Sequence, residues 1–135
     1  MKVIVNIGGR WKTDIKVHSL FEKYETRTLE TMTMLSETLK FRLPRQLILR
    51  PLYSKDDLPA AYGKALFCPF KGYTIAMLPD FCMAMRDKGF WVLDHECVHI
   101  ANAIKYNDWG HGRMFKTIYA MCRRGNNKKQ KQNEA

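Results

Sequence analysis

Asp94-His95-Glu96-Cys97-Val98-His99 is the stretch on which the reading of this chain turns. Its neighbours are Trp91 and Val92 on one side and Ile100, Ala101, Ala103 and Ile104 on the other, a pattern that reads as a buried helix. The stretch has the form H-E-x-x-H. Residues four apart on a helix lie about 40° apart around its axis and one turn along it, so His95 and His99 can offer their imidazoles to one ion. Glu96 is rotated by about 100°, near enough to act on a water at that ion without being a ligand itself. Polar groups among apolar flanks need partners, and a metal ion is a natural one. Zinc is the ion the pattern calls for. Cys97, inside the motif, projects away from both histidines and is expected in the core as a small hydrophobe.

Two imidazoles leave a zinc site one protein ligand short. A carboxylate on a following helix is excluded almost entirely, because Asp108 and Glu134 are the sole acidic residues after His99. A pattern continuing G-x-x-H would need Gly at Asn102 and His at Lys105, and fails at both. His111, in Trp109-Gly110-His111-Gly112, is the leading candidate, with Asp108 in reserve. A continuous helix would carry His111 about 18 Å from His99. A break at Asn107–Gly110 lets the chain turn back, and the glycines beside His111 are expected to allow close backbone approach. His18 has no motif around it and reads as an ordinary surface or core residue.

Outward from the motif, the pattern is α+β. Lys2–Ile7 alternates and is β-branched, which predicts a short first strand. Helical periodicity runs from about Thr13 to Leu39, although its first half favours no one structure, and it stops before Pro44. Gln46–Leu49 reads as a second strand and Tyr53–Ala60 as a loop. Lys64–Phe67 and Tyr73–Leu78 predict a hairpin. A helix opening at Pro79-Asp80 would carry the motif to about Tyr106, with a weak point at Gly89. Arg113–Arg123 would form a last short helix. The expected architecture is a small sheet, antiparallel or mixed, packed against the motif helix.

With 135 residues, 46% of them hydrophobic, the chain suits one domain and is too apolar to be disordered throughout. No apolar run reaches the roughly 20 residues of a membrane helix, and the first residues lack a signal-peptide pattern, so an intracellular protein is expected. The 23 Lys and Arg exceed the 13 Asp and Glu by ten charges. Such an excess points to a polyanion, nucleic acid first. Arg123, Arg124, Lys128, Lys129 and Lys131 stand against Glu134 alone in residues 123–135, which read as a basic, disordered tail and as candidate nucleic-acid contacts. Cys68, Cys82, Cys97 and Cys122 have no metal-ribbon spacing and read as reduced, mostly buried thiols. Met77, Met83, Met85, Met114 and Met121 read as core packing. Trp109 suits either a binding surface or packing on the motif helix.

His95-Glu96-x-x-His99, ten intervening residues and then Gly110-His111-Gly112-x-x-Phe115 resemble the metal-binding core of the SprT-like zinc metalloproteases, which include the Spartan protease of DNA–protein crosslink repair. Tyr62-Gly63 ahead of a hairpin, the strand Tyr73–Pro79 leading into the motif helix, and the order helix, Leu43-Pro44, strand extend the resemblance over roughly residues 20–122. It implies a zincin-like protease domain over 1–122. One zinc ion would be held by His95, His99 and His111, with Glu96 as general base for peptide hydrolysis, and the substrates would be proteins associated with DNA. The zinc ribbon that many members carry has no counterpart here, and the strand Lys2–Ile7 has none in the family. A compact stand-alone member, phage- or mobile-element-encoded, fits that pattern. Two other functions stay open: a zinc hydrolase with a regulatory or cell-wall substrate, and a non-catalytic DNA-binding protein with structural zinc. An intact Glu96 speaks against the second. Tyr106, Tyr119 and Arg113 lie near the motif in sequence, with nothing to choose one of them as an oxyanion stabiliser.

Overall fold

The structure, a computed structural model, describes residues 1–52, 62–85 and 87–134, without the side chains of 85, 87–88 and 127–134. The loop expected at Tyr53–Ala60 lies outside the described residues. The chain is α+β. Four strands, β1 (Lys2–Val5), β2 (Gln46–Pro51), β3 (Gly63–Cys68) and β4 (Gly72–Met77), form one sheet in the order β1-β2-β4-β3. β1, β2 and β4 are parallel, and β3 closes the edge antiparallel to β4, so the sheet is mixed. In register, Val3 stands beside Leu47, Leu49 beside Ile75, and Ala65 beside Ile75 from the other side. Strand alternation therefore sends one row of apolar side chains to the helices: Leu47, Leu49, Ile75 and Met77 are fully buried.

The first long helix, α1 (Ile15–Leu39), is continuous where the sequence pattern was ambiguous. Asp14 settles its start, since the carboxylate accepts from the backbone N–H groups of Lys16 and Val17 at 3.0 and 3.2 Å. Val17, Phe21, Tyr24, Thr28, Met32 and Leu35 recur at helical spacing on its buried face. Lys40, with φ of 59°, turns the chain out of the helix. α1 also makes the crossover that lets β1 and β2 run parallel.

The helix expected from Pro79 is described in two stretches, α2 (Pro79–Met85) and α3 (Asp87–Tyr106), and residue 86 between them lies outside the described residues. Gly89, the expected weak point, lies inside α3. Gly89 is there for space: a Cβ would run into the hydroxyl of the buried Tyr24 on α1. α3 packs against α1, the β3–β4 edge and the last helix, α4 (Arg113–Glu134), and so forms the centre of the molecule. α4 departs most from expectation. The predicted stop at Arg123 and the disordered stretch 123–135 are replaced by a helix continuing to Glu134. No helix among the described residues is long and apolar enough to cross a membrane.

All four cysteines are free thiols, and Cys82, Cys97 and Cys122 are buried as expected. The methionines divide: Met77 is core, whereas Met83 and Met114 are substantially exposed, contrary to the core role expected of them. His18 lies on the surface, its Nε2 2.7 Å from the Lys12 carbonyl oxygen.

Candidate metal centre

α3 places His95 and His99 one turn apart on the face toward β3 and α4, as their spacing requires. After α3 the chain reverses. Asn107 adopts a left-handed conformation, φ 53°, and its N–H bonds the Ala103 carbonyl, a common way to end a helix. Asp108 then accepts from the Gly110 N–H at 2.8 Å, closing an Asx turn. That bond occupies the carboxylate in the loop, and Asp108 is not among the side chains that converge on the histidines; the reserve ligand is discarded. The reversal brings His111 over α3 just before α4 begins. The glycines beside His111 divide: a Cβ at Gly110 would lie 3.2 Å from Asp108 Oδ1, a close approach, whereas Gly112 has open space around it, and neither has a positive φ.

The His111 Nε2 lies 3.1 Å from that of His95 and 2.9 Å from that of His99. All three residues have a ligand atom within 4.8 Å of the others. Any two ligands of a tetrahedral zinc site stand about 3.3 Å apart, given metal–nitrogen bonds near 2 Å. Three imidazole nitrogens this close together could hold one metal ion, and protonated rings there would repel. Accordingly, burial and then the neighbouring His111 lower the pKa of His95. Burial, His95 and His111 bring that of His99 down to about 4. The Trp109 backbone favours His99 protonation, yet the buried His99 Nδ1 has no hydrogen bond of good geometry. Phe115 lies beneath the three rings, with centroids 4.8, 4.4 and 4.9 Å from His95, His99 and His111, and limits their rotation.

Glu96 is 6% exposed and points to β3. Burial raises its pKa to about 7, while the Ala65 backbone N–H pulls the other way by favouring the carboxylate. Gly63 makes this approach possible, since a Cβ there would lie 2.7 Å from Val92 Cγ1 and 3.3 Å from Glu96 Cγ. A groove of about 520 Å³ follows Gly63–Leu66 of β3 past His95, Glu96, His99 and His111 to Trp109. Trp109 thus belongs to the groove wall, 6.3 Å from the Tyr73 ring. Of Tyr106, Tyr119 and Arg113, Tyr119 lines a cavity together with His95 and Glu96.

Asp94 has a part that the sequence did not assign to it. Its carboxylate is fully buried and accepts from Arg27 Nε and Nη2 at 3.1 and 2.8 Å, Arg123 Nη1 at 2.6 Å and Asn126 Nδ2 at 3.1 Å. Thr31 Oγ1 donates to it at 3.3 Å. One carboxylate therefore ties α1, α3 and α4 together beside His95. The available signal was a charge on the same helical face as Cys97, Val98 and Ala101, where it must find a partner. Arg123, expected as a nucleic-acid contact, is part of this network and lies over the Trp91 ring at 5.1 Å. Arg124 is exposed on α4; Lys128, Lys129 and Lys131 lie on the same helix, their side chains outside the described residues. Trp91, expected to be buried, is 46% exposed.

Comparison of the chain with family models, with curated proteins and with solved structures gave no match.

Proposed function

We propose that the chain is a zinc-dependent endopeptidase of the SprT-like type, with a zincin-like fold. The observation that carries this is the convergence of three imidazole Nε2 atoms beside a buried carboxylate at the floor of a groove. The donor set favours zinc, a frequent partner of neutral imidazoles. A zinc ion held by His95, His99 and His111 would supply Lewis acidity and lower the pKa of water.

The chain's own residues do the rest. β3 is a sheet edge, and among the described residues no strand pairs with its outer side. An extended peptide can add there by main-chain hydrogen bonds, which lays its carbonyl groups along the groove beside the histidines. Glu96 Oε accepts the proton of the attacking water and delivers it to the departing amine nitrogen. A carboxylate whose pKa lies near 7 is matched to both transfers. The Phe115 contacts and the packing of α3 against α4 hold the imidazoles in place before any substrate arrives.

DNA-associated proteins are the proposed substrates, on the charge excess of +10 and on the resemblance of the motif. Glu96→Gln tests the enzyme directly. The variant is expected to keep its zinc and lose casein cleavage by about 10²- to 10⁴-fold, the scale of a general base. Cleavage at the wild-type rate by that variant would refute the proposal.

A further inference from the structure

Beside the groove, past the Gly63 end of β3, lies a second cavity of about 290 Å³ lined by Tyr62, Gly63, Trp91, Val92 and Tyr119, with His95 and Glu96 at its inner end. Its walls are held from behind. Tyr62 stacks on Phe81 with ring centroids 3.9 Å apart and planes 17° apart. Trp91 lies under the Arg123 guanidinium, and its carbonyl oxygen accepts from the Tyr119 hydroxyl at 3.3 Å. Gly63 adds no side chain to the space. Among the described residues that line the cavity, the one acidic group is Glu96 and none is Lys or Arg. Aromatic walls beside the Glu96 carboxylate suit an apolar side chain and penalise an acidic one, which would be desolvated next to that carboxylate.

The position of the cavity sets which side chain enters it. β3 runs from Gly63 to Cys68, and the groove follows it past the histidines. An added strand pairs more stably antiparallel than parallel, so it would run from Leu66 toward Gly63. A peptide in that direction reaches the cavity after passing the three imidazoles. On the peptidase reading above, we infer that this cavity selects the substrate by taking a large apolar side chain, Leu, Ile, Met or Phe, from the residue that follows the cut bond. Gain or loss of apolar contact of that size changes kcat/KM by about 10- to 100-fold.

Two experiments test the inference separately from the peptidase reading. In the first, the zinc-loaded protein digests a mixture of denatured proteins, and the new amino termini are identified by mass spectrometry. The expected result is enrichment of large apolar residues at the first position after the cut, about tenfold or more over Asp, Glu and Gly. Val92→Phe, which fills the cavity, is expected to move the profile to Ala and Gly. Trp91→Ala, a change at a half-exposed site, is expected to flatten it. Enrichment of Lys or Arg at that position, apolar enrichment only before the cut, or an unchanged profile in both variants overturns the inference. In the second, N-acetyl-phenylalaninamide is titrated into the protein as purified and the Trp91 indole signal is followed by NMR. Saturable perturbation that the aspartate analogue does not produce, and that Val92→Phe removes, is expected. No perturbation up to the solubility limit overturns the inference. Absence of any cleavage together with that perturbation refutes the peptidase reading and leaves the cavity assigned.

Discussion

Replacing Asp94 by Asn isolates the electrostatics that hold the site together. The carboxylate is fully buried and meets two guanidinium groups, each on a side chain about one-fifth exposed, together with Asn126 and Thr31. Asn keeps the shape, deletes the charge and turns one acceptor into an NH₂ that faces the donors. Both arginines then remain largely buried without a counter-charge. Breaking a buried pair in this way costs about 3–5 kcal/mol, and partial exposure of the arginines favours the lower end. With a urea m-value of roughly 2 kcal/mol/M, a loss of about 3 kcal/mol lowers the unfolding midpoint by about 1.5 M. The assay is urea denaturation followed by far-UV circular dichroism on the metal-free protein, so that zinc binding does not mask the difference. The triple variant Asp94→Leu, Arg27→Met and Arg123→Met removes the charges together and is expected to recover most of the loss, because packed apolar groups replace such networks at little cost. A midpoint within about 0.3 M of wild type for Asp94→Asn would refute the reasoning. So would a triple variant less stable than the single one, since the loss would not then arise from stranded charge.

Gly89→Ala places a methyl group against the Tyr24 hydroxyl at the α1–α3 contact. It should destabilise the protein by about 1–3 kcal/mol in the same assay, despite the better helix propensity of alanine. Removing residues 127–135 should weaken DNA affinity and reduce the slope of log K against log salt by about 2–3, as three lysines are lost. A truncation that begins at Arg123 should in addition lower stability, because it takes Arg123 and Asn126 from Asp94. Equal thermal midpoints for the two truncations would count against a structural part for Arg123.

The elements legible in the sequence were those whose signals are local. β2 and the β3–β4 hairpin have strong β patterns between turn residues, and H-E-x-x-H on an apolar helix carries its geometry in its spacing. His111 could be inferred because few acidic or imidazole groups follow His99. What escaped depends on partners distant in the chain. Gly89 looks like a weak point in a helix until Tyr24, 65 positions earlier, is seen to need the space. Arg123 looks like the start of a solvated tail until Asp94 is found opposite it on α3, with α4 continuing beyond the expected stop. Trp91 reads as core by its hydropathy, yet it forms a wall of the cavity beside Glu96. Parallel pairing of β1 with β2 likewise depends on the crossover made by α1, which strand composition does not reveal.

Metal stoichiometry tests the central claim most directly. Wild-type protein and His111→Ala, each equilibrated with zinc and then desalted, are analysed by inductively coupled plasma mass spectrometry. His111 is an exposed residue ahead of α4, so its loss should leave the fold intact. The expected result is one zinc per wild-type chain and far less than one in the variant. Zinc absent from the wild-type protein, or retained in full by His111→Ala, would contradict the three-histidine centre.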